Sequence, residues 1–437
     1  MFKYYLYLGL RNLRRNPLLT LLMVITLATG VAASVSTLTI VHMMGNNPIP
    51  HKSNKLLVPW LDVGPLEGFQ PSDPVDKQLS YKDVINFLHS QQSVKRAAVY
   101  GISLPIEPER ADLHAEKGDG LAVSSDYFSM FDVPFSQGSG WTANEENAGA
   151  KVMVLSLAYS QKFFGNTNPV GKNLRVGGNQ YRIVGVLGAW SPTPRYTHLI
   201  NGNGGVFQGA DGIYIPFTTS IEQHIRESGS LWCTGDRKAG FQGILESDCT
   251  WLQFWFEVDS VGDRSKLQEF LNAYQSEQRK LGRLQRPVQP RLYNVTEWME
   301  FLAVVKTDSK LSAWLALGFL LLCIVNTAGL LLAKFSTRAA EVGVRRSLGA
   351  DRAEILKQFL IETGVIGFIG GIVGLLLSFF GLWLISLQSD AMTVLAHLDI
   401  PMLILTFVMA IGASLIAGLL PTWRVYQVMP AIQLKSQ

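Results

Sequence analysis

The chain has 437 residues, of which 48% are hydrophobic, 10% aromatic and only 16% charged, with a formal net charge of +4. A water-soluble chain carries about 25% charged residues, so the composition excludes a wholly soluble, disordered or collagen-like protein and puts part of the chain in lipid. The small net charge gives no footing for nucleic acid, and three cysteines are too few for a disulfide-rich fold or a cysteine-based zinc module.

The first long apolar run spans Leu18 to Met44 and contains no Lys, Arg, Asp or Glu. Lys3, Arg11, Arg14 and Arg15 precede it and Ala32-Ala33-Ser34 lies inside it, as in a secretory signal. The run is longer than the roughly 7 to 15 residues of a signal-peptide core, so it reads as an uncleaved membrane helix.

Residues 45–310 have ordinary globular composition with mixed strand and helix signals. Ser80-Tyr81-Lys82-Asp83 resembles a capping box and opens an amphipathic helix with Val84, Phe87 and Leu88 on one side. Val152 to Leu155 reads as a buried strand; Ser156 caps a short helix through Phe164, which Gly165-Asn166 ends. Leu174 to Val176 and Tyr181 to Val186 read as a hairpin across Gly177-Gly178-Asn179, Trp251 to Val258 as a strand and Arg264 to Leu281 as a helix. Asn294 to Lys310 reads as a helix that runs on into the second membrane span. Residues 189–250, rich in Gly, Pro, Ser and Thr and including Asn201-Gly202-Asn203-Gly204-Gly205, read as a variable subdomain or an elaborated loop region. Cys233 and Cys249 lie there and form a candidate disulfide, because a compartment outside the membrane is oxidising.

Three further apolar runs follow: Leu311 to Ala333, Phe359 to Leu387 with Glu362 as its one acid, and Ile400 to Trp423. Each exceeds the roughly 18 to 20 residues that cross a hydrocarbon core of about 30 Å. Basic residues set the orientation. They precede the first run, fill the connection 334–358 (Lys334, Arg338, Arg345, Arg346, Arg352, Lys357) and recur in the tail 424–437, whereas the loop 388–399 has none. Both termini and the 334–358 connection are therefore expected in the cytoplasm, with 45–310 and 388–399 outside. The expected fold is an α-helical membrane protein with four transmembrane helices, one plus three, and a large α+β extracytoplasmic domain between helices 1 and 2.

Within the third span Gly364, Gly367, Gly370, Gly371 and Gly374 allow close helix approach, in packing within the chain or between two copies. Asn326 in the second span is placed to hydrogen-bond across helices, and Cys323 to pack. Glu362 reads as an interfacial anchor or the partner of a nearby Arg in preference to a proton relay.

Catalytic motifs are lacking. Gly165 to Asn173 imitates a phosphate-binding loop, but its spacing is one residue too long and Asn173 stands where Ser or Thr is required. There is no G-x-S-x-G elbow, and the seven histidines are scattered without metal-ligand spacing. No metal, catalytic residue or bound cofactor is expected in this chain.

The most informative segment is Arg338-Ala339-Ala340-Glu341-Val342-Gly343-Val344-Arg345-Arg346-Ser347-Leu348-Gly349-Ala350. Glu341 and Arg345 are an i, i+4 pair that supports a helix, Val342 with Arg345 and Arg346 gives it apolar and basic surface, and Gly349 breaks it. This run, with Ile355, Gln358, Phe359, Leu360 and Glu362, resembles the permease subunits of the MacB/FtsX/LolC group of ABC transporters. So do Leu10 to Asn16, Pro421-Thr422-Trp423-Arg424 and Met429-Pro430-Ala431-Ile432. The segments Val123 to Phe128, Phe163-Phe164-Gly165, Pro169 to Lys172 and Val184-Gly185-Val186 are similar to the MacB-type periplasmic core. Trp423, Tyr426 and Gln427 depart from the smaller residues common in the group.

The resemblance implies a bacterial inner-membrane permease of the mechanotransmission type. Two permeases would pair as a homo- or heterodimer over two cytoplasmic ATPase subunits that bind ATP and Mg. Arg338, Glu341, Val342, Gly343, Arg345, Arg346, Leu348 and Gly349 would form the coupling helix in the ATPase groove. MacB itself carries an N-terminal ATPase; this sequence shows none, so a separate subunit is expected. A periplasmic adaptor and an outer-membrane channel would complete export of a drug, peptide or lipid-linked substrate. The alternatives are FtsX-like activation of an extracytoplasmic hydrolase and lipoprotein extraction; a membrane-anchored enzyme has no motif behind it.

Overall fold

The computed structural model describes residues 16–427 except 71–76, 111, 201–205, 208, 236, 350, 389 and 397. The basic lead before the first helix, the run 201–205 and the tail motif 429–432 lie outside the described residues. Two compact units emerge, Gly45–Val304 and a second made of the chain on either side of it.

Helix α1 (Pro17–Gly45) opens the chain. The strands that follow are β1 (Leu56–Trp60), β2 (Leu79–Ser80), β3 (Lys95–Glu107), β4 (Glu116–Val123), β5 (Phe135–Gly138), β6 (Val152–Leu155), β7 (Asn173–Val176), β8 (Asn179–Leu187), β9 (Ile213–Pro216), β10 (Trp232–Cys233), β11 (Cys249–Glu257) and β12 (Arg291–Asn294). Interleaved with them are α2 (Tyr81–Leu88), α3 (Tyr127–Met130), α4 (Ala143–Asn147), α5 (Leu157–Phe164), α6 (Phe217–Glu222), α7 (Gly240–Glu246), α8 (Val261–Lys280) and α9 (Val295–Phe301). Then come α10 (Thr307–Ser336), α11 (Ala339–Ser347), α12 (Arg352–Ser386), α13 (Asp390–Leu395) and α14 (Ile400–Gln427).

The strands form one 12-stranded sheet ordered β12-β1-β11-β3-β4-β9-β6-β8-β5, with β2 and β10 added to β11 and β7 bridging β3 and β8. Pairs β4–β9 and β6–β8 are parallel. Successive side chains in a strand point to opposite faces, and here both faces are buried. In β3, Ala98, Tyr100 and Ile102 join a core with Phe87, Phe254 and Phe256. Ala97 and Val99 join the opposite core with Tyr127, Trp255 and Trp298. Ser80 caps α2 by accepting from the Asp83 N–H, and the helix turns Phe87 onto Phe254 with ring centroids 5.6 Å apart.

Edge strands expose unpaired backbone groups that invite association. A polar stripe of α8 binds the chain as it enters the edge strand β12 and reaches the strand itself at Leu292. Arg264, Gln268, Gln275 and Arg279, at helical spacing, donate to the carbonyls of Leu292, Pro290, Val288 and Arg286 at 2.9, 2.8, 2.7 and 2.6 Å.

Two expectations change. Residues 189–250 are not a separate subdomain: β9 lies inside the sheet between β4 and β6, and β10 pairs with β11 so that Cys233 stands opposite Cys249. The two sulfurs are bonded. The glycine-, serine- and threonine-rich surroundings hid a strand of only four residues, apolar though it is. The helix expected over 294–310 is two helices, because Ala303 adopts φ 51° and the Val304 N–H turns back to the Met299 carbonyl at 3.0 Å. No glycine marks the break, so the apolar pattern runs across it unnoticed. The loop that imitates a phosphate site is a turn: Gly165 ends α5 at φ 61° and Gly171 turns at φ 88° ahead of β7.

His198 is buried at 3% exposure, and its Nδ1 finds no partner among the described residues. Burial, aided by the Arg195 guanidinium, pushes its pKa down to about 3. The folded state therefore refuses a proton that the unfolded chain accepts below about pH 6.5. Stability from this group is intact above pH 6.5 and falls by about 1.4 kcal/mol per pH unit between there and about pH 3. Thermal melts of the detergent-solubilised protein across this range are expected to be less acid-sensitive in His198→Gln than in wild type.

Four helices are long and apolar enough to cross a membrane: Pro17–Gly45, Thr307–Ser336, Ala353–Ser386 and Ile400–Trp423. Lipid supplies no hydrophobic drive between helices, so close packing must hold them. A Cβ on Gly370 or Gly374 would meet α1 at Val24, Leu27, Ala28 and Val31; one on Gly367 or Gly371 would meet α14 at Phe407, Ala410 and Ser414. The glycine run thus serves two seams within one chain. Gly30 makes room for Cys323 in the same way, and Ser34 Oγ donates to the Ala316 carbonyl at 2.9 Å. Gly367→Val, which would place Cβ 2.1 Å from Ser414 Oγ, is expected to lower the melting temperature in detergent; Gly364→Ala, with nothing within 4 Å, is expected to leave it unchanged.

Candidate functional site

The candidate site is where α10, α11 and the start of α12 meet. Helix α12 has 35 residues, which at 1.5 Å each gives about 52 Å, well over a hydrocarbon core of about 30 Å. Asp351 caps its start by accepting from the Ala353 N–H, and Gly349, at φ 93°, makes the bend after α11.

At the centre sits Glu362, fully buried. The Lys334 ammonium, also fully buried, lies 2.8 Å from its Oε1. Arg338 Nη1 donates to Oε2 at 3.0 Å and Oε1 at 3.3 Å. An isolated carboxylate here would carry a desolvation penalty of several kcal/mol; Arg338 offsets it with hydrogen bonds, and Lys334 by charge and proximity, its Nζ making no hydrogen bond of acceptable geometry among the described residues. Apolar side chains seal the cluster: Phe335 and Phe359 sit with ring centroids 4.4 Å apart, and Val342 and Ile355 are buried beside them.

The outward side of α11 differs. Glu341 pairs with Arg345, whose Nη1 also donates to Gln358 Oε1 at 3.2 Å. Val344 and Leu348 expose apolar surface, Leu348 at 82%.

The residues expected to form one contact surface therefore divide. Glu341, Arg345, Leu348 and Gly349 face outward, whereas Arg338, Val342 and Gly343 are buried. Arg338 is a correction: its guanidinium is turned in to Glu362 and is not offered to a partner. The Arg346 side chain lies outside the described set. Asn326 is exposed on α10 and, among the described residues, lies outside the helix seams within the chain. Lys334 and Val344 were not singled out by sequence. The available signal was charge: Lys334 and Arg338 are an i, i+4 pair, separated by α11 and the first turns of α12 from the one acid of an otherwise uncharged span. Among the described residues no group of three or more His, Cys, Asp or Glu gathers to hold a metal.

Residues 20–269 match the family described as MacB-like periplasmic core domain, and residues 314–430 match the FtsX-like permease C-terminal family. The pyoverdine export ATP-binding/permease protein PvdT of Pseudomonas aeruginosa is 24% identical over 379 residues, covering 85% of this chain and 50% of the relative. The macrolide export ATP-binding/permease protein MacB of Escherichia coli K12 is 24% identical over 374 residues, covering 84% and 51%. The chain thus spans about half the length of the curated relatives it matches. Among solved structures, the periplasmic region of MacB from Actinobacillus actinomycetemcomitans aligns at 12% identity and a TM-score of 0.37, over 59% of this chain and 97% of that one.

Proposed function

The chain belongs to the MacB/FtsX-type ABC transporter permeases, and on that premise we propose that it is the membrane subunit of an exporter whose ATPase subunit docks on α11. The observation that carries this reading is the two-sided character of α11. One side is fixed to the membrane helices by Arg338 and Val342; the other presents Glu341, Val344, Arg345 and Leu348. Recognition surfaces combine apolar anchors with charges that set register, and this nine-residue helix offers both. ATP and Mg would be held by the docked subunit. Its closure would move α11, and with it α10 and α12. Two copies of the chain, or this chain and a sister permease, would pair over two such subunits. Both termini and α11 would lie in the cytoplasm, with residues 45–304 outside the inner membrane.

Apart from the Glu362 cluster at one end, the four spans carry no series of buried charges, which favours transmission of movement over passage of a polar substrate between the helices. The substrate class is a drug, peptide or lipid-linked molecule taken up beyond the membrane, with an adaptor and outer-membrane channel as further partners. The names of the relatives, pyoverdine export and macrolide export, support export over activation of a hydrolase.

The test is the double variant Glu341→Lys with Arg345→Glu. An exposed i, i+4 pair contributes only about 0.3–0.5 kcal/mol, so the melting temperature is expected to stay within a degree or two of wild type. Co-purification of the ATPase subunit, and the hydrolysis it gains from this chain in nanodiscs, are expected to fall at least tenfold. A wild-type chain that captures no ATPase subunit would overturn the reading and leave a membrane-anchored receptor or enzyme.

A further inference from the structure

The Glu362 cluster joins three elements through one carboxylate. Lys334 belongs to the last turn of α10, Arg338 to the residue preceding α11, and Glu362 to α12. Between Lys334 and Arg338 the chain leaves one helix and starts the next; the Arg338 N–H bonds to the Phe335 carbonyl and the Val342 N–H to the Arg338 carbonyl, both at 3.0 Å. A pull on α11 therefore reaches Arg338 directly. Arg338 cannot leave Glu362 without taking one of its two cations from a fully buried carboxylate, which is costly at that burial. The apolar contacts around the cluster can slide by fractions of an ångström at small cost; a two-point guanidinium–carboxylate contact is directional and resists sliding. The Arg345–Gln358 contact also links α11 to α12, but it is exposed and water can replace it.

Resting on the reading of α11 as the docking helix, we infer that Glu362 is the positioning residue that ties α11 to α12, so that movement imposed on α11 is delivered to the third membrane helix. Glu362 touches no nucleotide and no docked partner; it acts through Arg338 and Lys334. Docking and coupling then separate. Docking uses the outward side of α11, and coupling uses the buried cluster behind it.

The experiment uses the full chain co-expressed with its ATPase subunit and reconstituted in nanodiscs. The readouts are ATPase subunit retained per chain and the ratio of hydrolysis in the complex to hydrolysis by the ATPase subunit alone. Glu362→Gln is expected to retain the ATPase subunit within twofold of wild type and to lose at least tenfold of the stimulated hydrolysis. Exchanging the charges across the tie itself, Arg338→Glu with Glu362→Arg, restores an ion pair between the start of α11 and α12 and is expected to recover a third or more of the wild-type stimulation, which a role in mere folding would not predict. If Glu362→Gln does not assemble, the neutral triple variant Lys334→Met, Arg338→Leu, Glu362→Leu leaves no unpaired charge in the cluster and is expected to assemble but remain uncoupled. Wild-type stimulation in either the single or the triple variant overturns the inference. So does loss of the ATPase subunit from Glu362→Gln while the chain stays folded, which would assign Glu362 to docking. Absence of the ATPase subunit from the wild-type chain is a different failure, that of the docking reading itself.

Discussion

A carboxylate buried at the end of a membrane helix must be answered by cations, and the packing around Glu362 follows from that requirement. Lys334 and Arg338 reach it from one side of a helix turn, 2.8 and 3.0 Å away. Their spacing forces α10 to finish at that depth and the chain to turn immediately into α11. The turn brings Phe335 over Phe359 and Val342 onto the start of α12, so the apolar seal and the ionic centre specify the same register. Replacing such a triad by apolar residues of similar volume is often neutral for stability. Its presence is then better explained by a directional link between helices than by added stability.

The remainder of the membrane unit is held by a different means. Between apolar helices in lipid there is no gain from burying methyl groups, so contact area and backbone approach decide association. Glycines in α12 serve α1 on one side and α14 on the other, at positions offset by three or four residues: Gly370 and Gly374 toward α1, Gly367 and Gly371 toward α14. A helix with two glycine seams is clasped on both sides, and it is the same helix that carries Glu362. The element that receives α11 through Arg338 is thus also packed through glycines against two neighbours.

Much of this was legible in the sequence. Uncharged runs of sufficient length located the four membrane helices, and capping residues located helix starts to the residue, as Ser80 and Ser156 show. A continuous apolar run found β6, the Gly177-Gly178-Asn179 turn found the hairpin of β7 and β8, and alternation found β11. What escaped needed three dimensions. Strand β9 is short and lies in a segment whose glycine and proline content signals loops. The break at Ala303 is made by a non-glycine residue in a left-handed conformation, which no composition rule flags. Asn326 had a polar group suited to a helix seam, yet the face it occupies is set by the packing of α10, which periodicity in an all-apolar helix does not encode. Arg338 was visible as a basic residue in the right segment, but whether it points outward or inward depends on Glu362, which lies beyond α11 and the first turns of α12.

Burial separates the two kinds of charge at this site, and with it their roles. The Glu341–Arg345 pair is roughly half exposed on both sides, screened by salt and worth a few tenths of a kcal/mol to the fold. Such a pair is cheap to rearrange, so it can exchange its internal contact for one with a docking partner at little cost to the helix. The Glu362 cluster cannot exchange partners without a large penalty. A helix that must engage and release a partner repeatedly while staying attached to its own membrane domain needs weak charges on the outward side and strong ones behind. In α11 and its surroundings the sequence arranges them in that order, with Arg338 and Arg345 seven residues apart yet divided between the two environments.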